Sequence, residues 1–251
     1  MMKRRATWAA VLILGLAVIA CGGEEAVEPS TTEAPEAGSS SAQPPPGEPA
    51  PEASAPTVNP LLDPYHPEYS QQAPASYRVA FDTSKGQFVV EVHREWAPLG
   101  ADRFYNLVRT GFYNNNRFFR VLDGFVAQFG LNGDAAINEA WDIAAIDDDP
   151  TREMNTRGRL TFANSGPSSR TTQLFINLGD NLSLDNRGFP PFGEVIEGMG
   201  VVDSLYADYG EGTPRGNGPD QLRLGAEGND YLERDFPLLD YVELAMVIAE
   251  R

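Results

Sequence analysis

A cation sits inside an apolar, aromatic run: the stretch RFFRVLDGFVAQFG, residues 117 to 130, carries Arg117 and Arg120 among Phe118, Phe119, Phe125 and Phe129. A guanidinium is a rigid fork of N–H donors that stays charged. Held beside an aromatic wall it can donate toward an atom that becomes electron-rich during a reaction. Taken singly, Arg120 also fits a snorkelling or edge-strand side chain, and Phe125 and Phe175 also fit plain core residues. Alternation puts Phe118, Arg120 and Leu122 on one strand face, and the break at Asp123-Gly124 lets the chain re-aim before Phe125. Arg117 reads as a bystander.

Other chemistry lacks its parts. The histidines are His66 and His93 and the one cysteine is Cys21, which argues against a histidine-based triad, a multi-histidine zinc site and an internal disulfide. No glycine loop leads into Lys and Ser or Thr, and no dinucleotide fingerprint joins a strand to a helix. Asp147, Asp148 and Asp149, with Asp142 nearby, are the candidates for a calcium loop, but glycine and spaced oxygen ligands are missing, and a charge run of this kind reads as a solvated loop. Asp203 and Asp208 read the same way.

The elements that must position Arg120 are mostly strands. Val79 and Phe81 before TSKG, and Phe88, Val90 and Val92 after it, predict a hairpin. Ala101, Phe104, Leu107 and Val108 recur at helical spacing between Pro98 and Gly111 and predict a helix. Further strands are expected in RFFRVLDGFVAQFG, GRLTFAN, TQLFINLG, FGEVIEG and the terminal LDYVELAMVIAE, with a short second helix over Met199 to Tyr206. Strands divided by turns, with two helical patterns, favour a closed antiparallel barrel or a sandwich.

The ends of the chain set its context. Lys3, Arg4 and Arg5, an apolar run and small residues before Cys21 form a secretory signal over residues 1–20, too short for a convincing membrane span. Val18-Ile19-Ala20-Cys21 resembles the lipobox of bacterial lipoproteins, with Cys21 as the lipidated residue; an ordinary cleaved signal is the alternative. Residues 21–76 then turn to Pro, Ala, Glu, Ser and Thr and read as a disordered linker, with a reach on the order of 40 Å. The folded domain is expected over 77–251. The net charge is −17; the leader holds +3 and residues 22–76 hold −9, which leaves −11 on the remainder. Such a balance points away from nucleic acid and toward protein partners, with the lipid on Cys21 as the membrane contact.

Three stretches, FFRVLDGFVAQFG, LTFANSGPSSRTTQLFINLG and LDNRGFPPFGEVIEGMGVVDSL, resemble the successive signature segments of cyclophilin-type peptidyl-prolyl isomerases. The resemblance runs in order from about Tyr77 to Tyr206. It implies a mainly β fold, a closed eight-stranded antiparallel barrel capped by two α-helices. It also implies catalysis of X-Pro isomerisation without metal or cofactor; taken with the leader and Cys21, the expected substrates are proline-containing segments of exported proteins, and a monomer is expected. Arg120, Phe125 and Gln128 match the family's catalytic positions. Val126, Ala163, Asn164, Gln173, Phe175 and Leu184 match its substrate-binding positions. Phe119 replaces the histidine usual before the arginine, and Ser183 replaces a tryptophan that binds cyclosporin in many members. The histidine that often completes the proline pocket falls at Gly188 or Phe189. The acidic loop 131–157 and the chain after Tyr209 also depart from the pattern.

The residue types suit the reaction so implied. The barrier of roughly 18–20 kcal/mol about the peptide bond comes from amide resonance. Twisting removes it and leaves the prolyl nitrogen more basic, so a fixed guanidinium would favour the twisted state over both planar ones. A non-catalytic module that holds proline peptides, or a chaperone acting away from the pocket, is the alternative.

Overall fold

Alternation along the first hairpin sets the register of the sheet. In the computed structural model, which describes residues 59–251, β1 (Ser76–Thr83) pairs with β2 (Gly86–His93), and Tyr77, Val79 and Phe81 oppose Val92, Val90 and Phe88. All six are buried, and the rings of Phe81 and Phe88 stack with centroids 4.8 Å apart. The expected leader, Cys21 and the linker as far as residue 58 lie outside the described residues.

The remaining strands are β3 (Arg120–Leu122), β4 (Val126–Phe129), β5 (Arg159–Phe162), β6 (Leu174–Asn177), β7 (Pro191–Glu197) and β8 (Val242–Glu250). All eight pair antiparallel in the order β3-β4-β6-β5-β7-β2-β1-β8. The sheet curls until its ends meet: Arg117 bridges Tyr241, Phe118 N–H donates to the Asp240 carbonyl (2.9 Å), and Val242 N–H donates to the Asn116 carbonyl (2.9 Å). The seam is thus one bridge, not the full ladder of a closed barrel. β1 and β8 pair from Tyr77 opposite Glu250, and beyond that pair Ser76 and Arg251 exchange two backbone hydrogen bonds.

The helix expected after Pro98 forms as α1 (Pro98–Arg109), with Pro98 at its first turn and Phe104 and Leu107 fully buried against the sheet. The second expected helix forms as the shorter α3 (Met199–Asp203). Two helices were too few. α2 (Ala135–Asp142), α4 (Gln221–Glu227) and α5 (Asn229–Asp235) arise from the acidic loop and from the chain beyond Tyr209. Asp134 and Asp220 start α2 and α4 by accepting from backbone N–H groups two residues on. Phe119, Leu224, Tyr231, Leu232 and Leu239 form a second small core outside the barrel, with Leu131, Tyr209 and Phe236 packed on it.

The folded unit also begins earlier than residue 77. Residues 59–75, expected as linker, contain 3₁₀ turns at Pro60–Leu62 and Pro67–Ser70. Trp141 of α2 donates its indole N–H to the Leu61 carbonyl (2.9 Å) and meets the Tyr69 ring edge-on at 4.8 Å. Asn106 donates to the Tyr69 and Gln71 carbonyls, and Asp102 accepts from Ala73 N–H. NPLLDPYHPEY, residues 59–69, is less polar than the rest of the linker, but Trp141 lies within an acidic loop, so the contact was signalled from one side only.

Candidate active site

A three-residue turn aims the arginine. Asp123, Gly124 and Phe125, with Gly124 at φ +68°, close a hairpin in which Arg120 lies opposite Gln128 and Leu122 opposite Val126. Phe118 does not share the face of Arg120 as alternation suggested. It enters the barrel core with Val121, whereas Phe119 turns outward into the second core and Arg120 to an open cavity, because regular strand begins only at Arg120.

Beside that hairpin β6 contributes Phe175, in register with Gln128. β5 runs into Ala163, whose N–H donates to the Gln173 carbonyl (2.9 Å). Asn164 donates from its side chain to the Gly188 carbonyl (2.7 Å), tying that edge to the 3₁₀ segment Leu182–Arg187 that carries Leu184. The structure brings Arg120, Phe125, Val126, Gln128, Ala163, Asn164, Gln173, Phe175 and Leu184 to the wall of one cavity of about 620 Å³. All nine were expected from sequence.

The cavity divides by chemistry. Val126, Phe175 and Leu184 form a buried apolar cluster flanked by Phe125, Ala163 and Phe189. Phe189 meets the Phe175 ring edge-on at 5.9 Å, so an aromatic stands where the expected histidine is missing. Next to this wall runs a polar chain. Arg120 donates from Nη1 to Gln128 Oε1 (3.1 Å), and Gln128 Nε2 donates to Gln173 Oε1 (2.9 Å). The guanidinium carbon lies 5.6 Å from the Phe125 ring centre.

One strong partner of Arg120 was not foreseen. Glu211 accepts from Arg120 Nε at 2.7 Å and from Nη2 at 2.8 Å, a bidentate fork. Hydrogen bonding from Arg120 holds the Glu211 carboxyl below its ordinary value, against the opposing effect of partial burial. Arg187, Arg215, Asp142 and Gln221 also line the cavity. Glu211 falls in EGTPRGNG, a turn-rich stretch without periodicity beyond the last of the three matching segments, and nothing in its neighbours links it to Arg120.

The acidic run is structural. Asp149 accepts from Leu99 and Gly100 N–H (3.0 and 2.9 Å) at the start of α1, and from the fully buried Arg170 at 3.1 Å. Arg170 also donates to the Asp147 carbonyl, and Asp148 accepts from Ser168 N–H. These bonds clamp residues 147–149 to the 168–170 segment beside the cavity. Asp203 pairs with Arg157 rather than with Asp208.

A family model described as cyclophilin-type peptidyl-prolyl cis-trans isomerase matches residues 78–220. A peptidyl-prolyl cis-trans isomerase of Acinetobacter baylyi is 36% identical over 142 residues, covering 54% of this chain and 75% of that protein. Peptidyl-prolyl cis-trans isomerase B of Escherichia coli is 36% identical over 135 residues, with 51% and 82% covered. The fold is similar to a cyclophilin-type isomerase of Cryptosporidium parvum at TM-score 0.52 and 18% identity, covering 70% of this chain and 99% of that one. It is also similar to the cyclophilin AquaCyp293 of Hirschia baltica at TM-score 0.51 and 19% identity, with 71% and 76% covered.

Proposed function

From the premise that this chain belongs to the cyclophilin-type peptidyl-prolyl cis-trans isomerases, and is an isomerase of X-Pro bonds, we propose that Arg120 is its electrostatic catalyst. The observation that carries this is the donor count. Among the described residues, Nε, Nη1 and Nη2 each make one bond, which leaves one further N–H on each Nη nitrogen at the wall of an apolar pocket.

The proline ring occupies the pocket formed by Phe125, Val126, Phe175, Leu184 and Phe189. Gln128, Gln173, Asn164 and the backbone at Ala163 hold the flanking peptide. With the ring fixed, rotation turns the preceding carbonyl, amide resonance is lost, and the prolyl nitrogen gains a lone pair toward which a free Arg120 N–H donates. That hydrogen bond is stronger in the twisted state than in either planar state, which is the condition for acceleration. One oriented donor in a site of low dielectric supplies roughly 3–4 kcal/mol. Positioning and exclusion of water supply the rest.

We further propose that the enzyme works on exported proteins while held to a membrane by a lipid on Cys21; the Val18-Ile19-Ala20-Cys21 pattern and the basic, apolar leader support this.

The arginine mechanism is tested by Arg120→Ala in a proline-peptide exchange assay. A fall in kcat/KM of about 10²–10³ is expected from loss of one such donor. Rates equal to wild type would remove Arg120 from the mechanism.

A further inference from the structure

A catalytic arginine on a flexible stem must be aimed, and a carboxylate from outside the three matching segments does the aiming. Glu211 grips the Nε–Nη2 edge of Arg120 through two short bonds, and Gln128 takes one N–H of Nη1. The side chain of Arg120 is mostly covered and that of Glu211 less so.

The loop that carries Glu211 is itself fixed. Glu211 accepts from Gly212 N–H through its side chain (3.0 Å) and from Gly218 N–H through its carbonyl (2.9 Å). Gly216 lies so close that any side chain there would strike the Glu211 backbone. Two residues before Glu211, Tyr209 packs edge-on to Phe236 at 5.0 Å and joins the small core that contains Phe119. Adjacent residues of the active-site hairpin are therefore both engaged by the C-terminal extension, the chain from Tyr209 onward, which begins inside the family match and runs past its end at residue 220. Phe119 anchors the extension and Arg120 receives its carboxylate.

We propose that Glu211 is a positioning residue for isomerisation, holding the guanidinium so that its two remaining N–H groups serve the substrate. The proposal rests on the reading of Arg120 as catalyst. Two effects of the carboxylate oppose each other: it fixes the donor's direction, and its negative charge weakens the guanidinium's pull. The charge effect is screened at a partly exposed site, whereas the loss of aim is not. Fixing direction therefore dominates, and removing Glu211 slows the enzyme.

The test is a double-mutant cycle in the full chain, with kcat and KM from exchange on a proline peptide. Glu211→Ala is expected to lower kcat about tenfold and leave KM within about twofold, as for an interaction made in the transition state. Glu211→Gln, which keeps the shape and one acceptor, is expected to lose about threefold, and it decides the matter should Glu211→Ala not fold. In an Arg120→Ala background the same changes are expected to cost nothing further. An unchanged or raised kcat in Glu211→Gln, a change confined to KM, or an equal loss in the Arg120→Ala background would each overturn the assignment. Should Arg120→Ala itself retain wild-type kcat, the arginine mechanism falls and this proposal with it. A loss in Arg120→Ala without one at Glu211 removes only Glu211.

Discussion

Glu211 aims Arg120 with both oxygens only while it is ionised, which gives the reaction a shallow acid limit. The charged groups that act on this carboxyl are Arg120 from β3 and Arg215 from its own loop; Gln128 and Gln221, which share the cavity wall, are neutral. Its folded-state pKa is depressed from 4.5, so the pair is fully present above that ordinary value and is lost as pH falls through the lowered one. Turnover is expected to be flat from about pH 9 to 6, because guanidinium does not titrate there, and to decline only below the ordinary carboxylate range. Exchange measured by NMR down that range, in wild type and Glu211→Gln, checks this: the decline belongs to wild type, and a bell between pH 6 and 9 would require a different acid or base. Asp149 carries a related lesson at the same scale. Its place in a run of three acids suggested solvent, but capping α1 and pairing with Arg170 give it a buried task that only the fold reveals.

Among elements, the C-terminal extension meets the active-site hairpin through two adjacent residues, Arg120 and Phe119. Phe119→Ala is expected to remove about 3–5 kcal/mol of stability, the usual cost of emptying a buried phenylalanine site. It is also expected to lower kcat in the direction of Glu211→Ala, since the extension that carries Glu211 loses its anchor. Thermal unfolding and kcat measured on the same variant check both, and a lowered melting temperature with wild-type kcat would separate the extension from catalysis. The first hairpin and α1 were legible because each buries residues at its own period, as Val79, Phe81, Phe88 and Val90 do across one hairpin, whereas β4 and β6 are buried along their whole length and were legible only as short apolar runs between turns. The site residues were legible because three segments carry them in order. α2, α4 and α5 were not, since they are short and their apolar residues, Trp141, Leu224, Tyr231 and Leu232, pack on partners distant in the chain. Glu211 was hidden for the same reason. Alternation also misplaced Phe118, because the chain does not adopt regular strand until Arg120.

For the molecule as a whole, the proposed anchor on Cys21 leads to a prediction about where the enzyme works. Cys21→Ser is expected to shift the protein from the membrane to the soluble fraction of its cell and to abolish a diacylglyceryl mass increment on the mature N-terminal residue. Mass spectrometry and fractionation of the wild type and variant read both, and an unmodified Cys21 in membrane-free wild type would end the lipoprotein reading. The folded unit meanwhile reaches back to Asn59, since Leu61, Tyr69 and Ala73 dock on α1 and α2. It reaches forward to Arg251, past the end of the family match at residue 220. The paired hydrogen bonds between Ser76 and Arg251 set the two ends of the barrel side by side. The order in which the ribosome delivers the eight strands is therefore not a constraint on the finished sheet. A circular permutant that joins these ends by a short linker and opens an exposed turn elsewhere is expected to keep every strand pairing while giving up the docking of residues 59–75 on α1 and α2, and it frees a new terminus for fusing the enzyme to a client of choice.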